Sequence, residues 1–152
     1  MWQIKNNTIL HMKFVSIKYP DTDLVKKFID NAGNSLLAFR YFNSRGLDVI
    51  KNHVHTALIV DENNMPIAYG HLDFENNTVW LGTAVSEAHT GKGLGKSMMA
   101  HLIELANNQH IKSIRLSVDN DNVRAINLYT SFGFKLTEKK ENIRFYQLNL
   151  IN

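Results

Sequence analysis

The sequence contains no cysteine among its 152 residues, and this absence removes several kinds of chemistry at once. Disulfide bonds, thiolate nucleophiles and thiolate metal sites are excluded, and a reducing cytoplasm is the expected compartment. Proline occurs twice and glycine eight times, and no Gly-, Ser- or Pro-rich tract suggests a linker. We therefore expect a single domain over residues 1–152, long enough to bury a core.

Long apolar runs are also missing from the sequence. No stretch approaches the roughly 20 apolar residues of a membrane span, and the N-terminus lacks the apolar centre and cleavage site of a signal peptide. The net charge is +3, but the Lys and Arg residues are spread along the chain. This distribution favours an anionic ligand and argues against a nucleic-acid or membrane partner.

The periodicity of apolar residues predicts the order β-α-α-β-β-β-α-β-α-β-β, which is a layered α/β domain. Short polar turns make the middle three strands an antiparallel meander, whereas the helix after them requires parallel strands on its two sides. The predicted elements are, in chain order, strand Ile9–Ile17, a helix from Asp21 or Thr22 to near Gly33, helix Ser35–Asn43, strands Thr56–Val60, Ile67–Phe74 and Thr78–Val85, helix Gly93–Asn108, strand Ile111–Val118, helix Asn122–Phe132, and strands Phe134–Leu136 and Ile143–Leu150.

Glycines alternate with other residues in the segment 89–96, at the junction of a predicted strand and a predicted helix. Gly91, Gly93 and Gly95 let the backbone approach a ligand and turn several N–H groups the same way. The first turn of a helix adds unpaired N–H groups and partial positive charge, and Lys92 and Lys96 add full charges. The segment therefore predicts an anion site that suits phosphate.

Two well-known phosphate loops do not fit this segment. A Walker A loop has Gly-x-x-x-x-Gly-Lys-Ser/Thr, and although Gly95-Lys96-Ser97 matches its end, the required first glycine falls on Thr90. A dinucleotide-binding loop that started at Gly91 would need glycine where Lys96 stands, and it normally follows the first strand.

The segment Thr90-Gly91-Lys92-Gly93-Leu94-Gly95 resembles the Arg/Gln-x-x-Gly-x-Gly/Ala loop of the GNAT acetyltransferases. Thr83-Ala84-Val85 stands where this family has its Leu-x-Val strand end. Downstream, the residues from Asn122 to Tyr129, followed by Gly133-Phe134, resemble the family's Asn-x-x-Ala-x-x-Leu-Tyr…Gly-Phe segment. The two motifs stand at the family's separation, so the similarity spans Ile67 to Phe134.

This resemblance implies a fold, a cosubstrate and a set of site residues. It implies a mostly antiparallel sheet with helices on both faces, in which one parallel pair of strands splays around acetyl-CoA, and no metal. One backbone N–H near Val85 would face the thioester carbonyl, and Tyr129 would donate a proton to the departing thiolate. The residues implied in cofactor binding are Thr83, Ala84, Val85, Thr90, Gly91, Lys92, Gly93, Leu94, Gly95, Lys96 and Asn122.

Thr90 departs from the family's loop, and Asn122 has a possible second role. Thr90 replaces the family's Arg or Gln, so a side-chain donor to phosphate is lost and we expect altered affinity for CoA. Asn122 also suits the role of a helix cap, and the two roles are compatible.

The general base is not fixed by the resemblance. Some family members use a Glu at the position that is Val79 here, and others use one at the position that is Ser117. Replacements are His71 and Asp73, which alternate onto one face of their strand, or a chain of water molecules. His53 and His55 also alternate, but they have no nearby carboxylate, so we expect ordinary exposed histidines rather than a metal site.

The acceptor is expected to lie against the N-terminal helices. In Phe39-Arg40-Tyr41-Phe42, aromatic faces suit a sugar or ring, and Arg40 suits a phosphate or carboxylate. Arg40 and Tyr41 are therefore the candidate substrate-binding residues; the alternative is that Phe39 and Phe42 are core and Arg40 is surface.

The sequence thus predicts a monomeric or homodimeric N-acetyltransferase that acetylates a small-molecule amine, such as an amino sugar, by direct transfer in a ternary complex. Three alternatives remain open. They are an acyl-CoA sensor without turnover, an acetyltransferase for protein N-termini or lysines, and a nucleotide-triphosphate enzyme.

Overall fold

The computed structural model describes residues 11–150, and they form a seven-stranded sheet with helices on both faces. The strands lie side by side in the order β1-β2-β3-β4-β5-β7-β6. Within these residues, no helix is long and apolar enough to cross a membrane. In chain order the elements are β1 Lys13–Ser16, α1 Asp23–Asn31, β2 His53–Val60, β3 Pro66–Glu75, β4 Thr78–Val85, α2 Leu94–Asn108, β5 Ser113–Asp119, α3 Val123–Ser131, β6 Lys135–Lys139 and β7 Ile143–Asn149.

Each face of the sheet carries its own apolar cluster. On one face α1 buries Val25 and Phe28 against Leu58 and Tyr69. On the other face, α2 and α3 bury side chains against the inward residues of β3 and β5, including Met98, Leu102, Ile114 and Tyr129. Because successive strand residues point to opposite faces, β3 contributes Tyr69 to the first cluster and Leu72 to the second.

The contact between β4 and β5 is what positions the site. These strands are parallel, and their pairing is confined to Trp80 opposite Arg115. In contrast, β3 pairs with β4 along the whole length of β4, and β5 pairs with β7 from Ser113 to Asp119. Beyond Trp80, therefore, β4 and β5 diverge toward their C-terminal ends, which confirms the predicted parallel pair that splays apart.

The prediction of a second helix over Ser35–Asn43 is wrong. The segment forms two short 3₁₀ turns, Gly33–Leu37 and Tyr41–Asn43. Between them the Arg40 guanidinium donates to the Leu37 carbonyl over 2.7 Å, which satisfies a terminal carbonyl at the point where the first turn ends. Aromatic residues in this run also have lower helix propensity than Leu or Ala.

Other boundaries differ by a few residues. A further 3₁₀ turn, Leu47–Asn52, occupies a stretch without a predicted element, and β2 begins at His53 rather than Thr56. The part of the first predicted strand before residue 11 lies outside the described residues.

Candidate active site

A cleft of about 1020 Å³ opens where β4 and β5 separate. Its walls come from β3, β4 and β5, from the glycine segment before α2, from α3, and from the turns that follow α1. All the residues predicted from the sequence to bind cofactor or substrate, or to act in catalysis, line this cleft, apart from Lys92.

The glycine segment has the backbone of an anion cradle. Gly91 and Gly93 have φ angles of 80° and 81°, a conformation that residues with a Cβ rarely adopt. A Cβ added to Gly93 would meet no atom within 4 Å. Gly93 stands at the N-cap position of α2 and has no side chain that could accept from the helix. The first N–H groups of the helix therefore remain available to a ligand. These features fit the diphosphate of coenzyme A.

The edge of β4 offers backbone groups to the same cleft. The Ser86 N–H donates to the Ile67 carbonyl over 2.9 Å, and Ala84 lies opposite Tyr69 in the register with β3. Because the groups of an antiparallel strand alternate between its two sides, the N–H groups of Thr83 and Val85 face β5. They are free to pair with a peptide-like arm or to face a carbonyl oxygen.

Tyr129 lies on α3 at the floor of the cleft and is 9% exposed. Burial raises the pKa of its phenol, and the Thr83 side chain lowers that pKa to a lesser extent. The phenol is therefore protonated at neutral pH. Asn122 caps α3, since its Oδ1 accepts from the Ala125 N–H over 3.2 Å, and it also lines the cleft.

The positive charges around the glycine segment are not equivalent. Lys96 lines the cleft from the first turn of α2, whereas Lys92 does not line it. The Nη2 atom of Arg124 lies 3.6 Å from the position that a Cβ on Gly91 would take, and Arg124 lines the cleft as well.

On the α1 side of the sheet, a chain of hydrogen bonds ends at the buried carboxylate of Asp73. The Tyr41 hydroxyl donates to Asp73 Oδ2 over 2.7 Å. Since its only proton is used there, its oxygen accepts from His53 Nε2 over 2.8 Å. His53 Nδ1 then accepts from the Thr56 hydroxyl over 2.7 Å. These directions are assigned from the network, and they leave Asp73 as its terminal acceptor.

His71 stands next to this chain and has a different role in hydrogen bonding. Its Nδ1 lies 2.6 Å from the hydroxyl of Tyr69, a residue with no exposed surface. The buried phenol proton needs an acceptor, so Tyr69 donates to Nδ1 and the neutral imidazole carries its proton on Nε2. Burial holds the pKa of His71 well below its ordinary value. The ring fits above β4 because residue 82 is glycine; a Cβ there would lie 2.6 Å from Nε2.

The expectation that His53 and His55 are ordinary exposed histidines is wrong. Both are partly buried, and burial lowers the pKa of each to about 4. His55 Nε2 lies 3.0 Å from Nε2 of His101, whose ring stacks on Phe14. Among residues 11–150, no group of three or more His, Asp or Glu side chains is arranged to hold a metal ion.

Arg40 and Tyr41 both line the cleft, but their side chains already have partners. Arg40 forms a two-fold ion pair with Asp119 at the end of β5, with N–O distances of 2.8 and 3.0 Å. Both residues of this pair line the cleft, and the Arg40 guanidinium lowers the pKa of Asp119. The Tyr41 ring lies 4.3 Å from the ring of His71 and carries the Arg45 guanidinium over it at 4.4 Å.

Neither of the two positions at which the family resemblance implies a glutamate carries a carboxylate in this chain. Val79 packs against the α2-side core, whereas Ser117 lines the cleft without a carboxylate. Arg124 and Glu75 line the cleft without having been singled out from the sequence. Arg124 could have been found from its place inside the Asn122–Tyr129 motif. Glu75 could have been found because it alternates along the same strand with His71 and Asp73.

Comparisons with known proteins show to which family the chain is similar. The family model described as Acetyltransferase (GNAT) family matches residues 23–134. A 65-residue segment is 45% identical to the spermine/spermidine N(1)-acetyltransferase of Bacillus subtilis strain 168, covering 41% of this chain and 43% of that protein. The match therefore spans less than half of that relative's length.

Solved structures show the same fold at low sequence identity. The GNAT domain of S. lividans PAT superposes with a TM-score of 0.76 and 14% identity, over 91% of this chain and 90% of that one. The ribosomal-protein-S18-alanine N-acetyltransferase of Escherichia coli gives 0.70 and 19%, over 91% and 93%. The PaiA N-acetyltransferase of Thermoplasma acidophilum, solved with coenzyme A, gives 0.69 and 15%, over 91% and 99%.

The fold is therefore that of solved acetyltransferases, one of which was solved with coenzyme A. The chain belongs to the GNAT acetyltransferase family.

Proposed function

We propose that the protein transfers the acetyl group of acetyl-CoA to a primary amine of a small molecule. One observation carries the proposal. The cleft between β4 and β5 has an anion cradle with two left-handed glycines at one end and a buried carboxylate, Asp73, on the α1 side. The first suits the diphosphate of the donor, and the second suits the ammonium group of an acceptor.

The backbone and Tyr129 serve the donor half of the reaction. Bound acetyl-CoA supplies an acyl group activated as a thioester. The N–H of Val85 orients the acyl carbonyl and stabilises negative charge that develops on its oxygen, an effect worth about 3 kcal/mol in comparable sites. Tyr129 holds a proton on Oη, which it gives to the leaving sulfur.

Asp73 serves the acceptor half. Of the two candidates from the sequence, the hydrogen bonds favour Asp73, because His71 accepts at Nδ1 from Tyr69 and already carries a proton on Nε2. Asp73 binds the incoming ammonium and takes its proton, which leaves the amine free to attack. Since the chain has no cysteine, a thioester acyl-enzyme is excluded, and we propose direct transfer in a ternary complex.

Two carboxylates on β3 favour an acceptor with more than one ammonium group, and the Arg45 guanidinium lines the same cleft. Asp73 and Glu75 alternate along β3 and both line the cleft, while Arg40 is neutralised by Asp119. Polyamines and amino sugars both carry several amines, and the partial match to a spermine/spermidine N(1)-acetyltransferase adds support for polyamines. Aromatic side chains also line the cleft, but Arg45 already lies over the Tyr41 ring and Arg115 over the Trp80 ring.

The test is a thiol-release assay with acetyl-CoA and a panel of spermidine, aminoglycosides, amino sugars, amino acids and a peptide with a free N-terminus and lysine. We expect amine-dependent release of CoA with at least one small amine, and a product that is 42 mass units heavier, about the mass of one acetyl group in place of a proton. Tyr129→Phe should lower kcat by about 100-fold, as expected when a general acid is lost, with the Kd for CoA kept.

The sensor and the protein acetyltransferase are distinguished by this panel together with a titration of CoA binding. Tight CoA binding without acetylation of any amine would show a sensor. Acetylation of the peptide alone would show a protein acetyltransferase. An unchanged kcat in Tyr129→Phe would show that Tyr129 is not the general acid.

A further inference from the structure

The phosphate end of the cleft lacks the side chain that the family's loop places first. Thr90 stands there, and its hydroxyl donates to the Glu87 carbonyl over 3.1 Å. The hydroxyl is therefore engaged within its own turn. Lys92, the next cation along the segment, does not line the cleft.

Arg124 reaches the same place from α3. Asn122 caps this helix, so Arg124 stands in its first turn. This helix packs closely against the start of α2. A Cβ on Gly95 of α2 would be only 3.4 Å from Cδ2 of Leu128 on α3. This close approach brings the Arg124 guanidinium beside Gly91, with Nη2 at 3.6 Å from the missing Cβ.

We propose that Arg124 binds the diphosphate of coenzyme A and takes the role that Thr90 has lost. A guanidinium presents a planar fork of donors that matches two phosphate oxygens. The amides of residues 91–95 and this fork would hold the same diphosphate from two sides. The inference concerns donor binding alone, so it holds whichever amine is acetylated.

The test is calorimetric titration of Arg124→Ala with CoA, dephospho-CoA and pantetheine. Arg124 is exposed, so the variant should keep the wild-type melting temperature. The Kd for CoA should rise by about 10- to 100-fold, as expected when a hydrogen bond to a charged group is removed. Dephospho-CoA keeps the diphosphate, so its Kd should rise by the same factor. The Kd for pantetheine, which lacks the diphosphate, should be unchanged. Lys135→Ala removes an exposed cation outside the cleft; it is the control and should bind CoA within about two-fold of the wild type.

A compensating change sharpens the test. Thr90→Arg in the Arg124→Ala background restores a guanidinium at the family's position, so it should recover at least part of the lost affinity. The proposal is overturned if Arg124→Ala binds CoA as tightly as the wild type. It is also overturned if the loss is confined to CoA and spares dephospho-CoA, which would assign Arg124 to the 3′-phosphate, or if the double variant is no tighter than Arg124→Ala.

Discussion

At the scale of single residues, the site depends on where each proton sits. Tyr41 has one proton and gives it to Asp73, so the oxygen of Tyr41 becomes the acceptor for His53. Burial lowers the pKa of His53 to about 4, which keeps it neutral at physiological pH. The carboxylate of Asp73 is 4% exposed and is the acceptor at the end of the chain. An incoming ammonium would be its natural counter-charge.

Replacing Asp73 tests whether this carboxylate takes the proton of the incoming amine. We expect Asp73→Asn to lower kcat/KM for the best amine by about 100-fold or more, because the group that takes the proton is gone. The loss should be smaller at high pH, where more of the amine is already neutral. Rates measured across pH 6 to 10 check both points, with the melting temperature as a control for folding.

Glu75 is the matched control on the same strand. It lines the cleft but is exposed, so Glu75→Gln should raise KM for polycationic acceptors and leave kcat nearly unchanged. If Asp73→Asn has the same pH profile as the wild type, Asp73 is not the general base. His71 or a water molecule would then be the candidate for that role.

At the scale of secondary-structure elements, β2 carries two histidines whose environment disfavours charge. His53 lies in the chain that leads to Asp73, and His55 lies against His101. Burial lowers the pKa of both histidines from 6.5 to about 4. In the unfolded chain the same groups take up protons near pH 6.5. Between these values the unfolded state binds more protons, so the free energy of unfolding falls as the pH falls.

The melting temperature should therefore drop by roughly 10 °C between pH 7.5 and pH 5, given the usual relation between free energy and melting temperature at this size. His55→Gln should reduce that drop, because one of the histidines is removed. His110→Asn changes an exposed histidine and is the control for losing an imidazole at the surface. Equal melting temperatures at the two pH values would contradict the assigned protonation states.

The sequence predicted the elements around the loop better than those around the acceptor. Strand Thr78–Val85 agrees with β4 at both ends, and the helix from Gly93 to Asn108 differs from α2 by one residue, because polar turns and glycines mark those ends clearly. The segment Ser35–Asn43 has an apolar pattern compatible with a helix. Its 3₁₀ turns depend on long-range contacts such as Arg40 with Asp119, 79 residues apart, which local patterns do not contain.

At the scale of the whole molecule, the cleft exists because β4 and β5 are joined by a crossover helix and pair only at Trp80 and Arg115. The phosphate loop follows β4, while Asp119 ends β5 and Asn122 follows it, so topology brings both motifs to one opening. The motifs made this arrangement predictable. The chain Thr56–His53–Tyr41–Asp73 was not predictable, because it joins three separate segments whose spacing carries no regular pattern.

The central claim is that the loop between β4 and α2 holds coenzyme A in this cleft. Calorimetric titration of the wild-type protein with CoA, and separately with ATP and Mg²⁺, tests it most directly. We predict one molecule of CoA bound per chain and no comparable uptake of ATP. Binding of ATP with Mg²⁺, together with no detectable binding of CoA, would contradict the account.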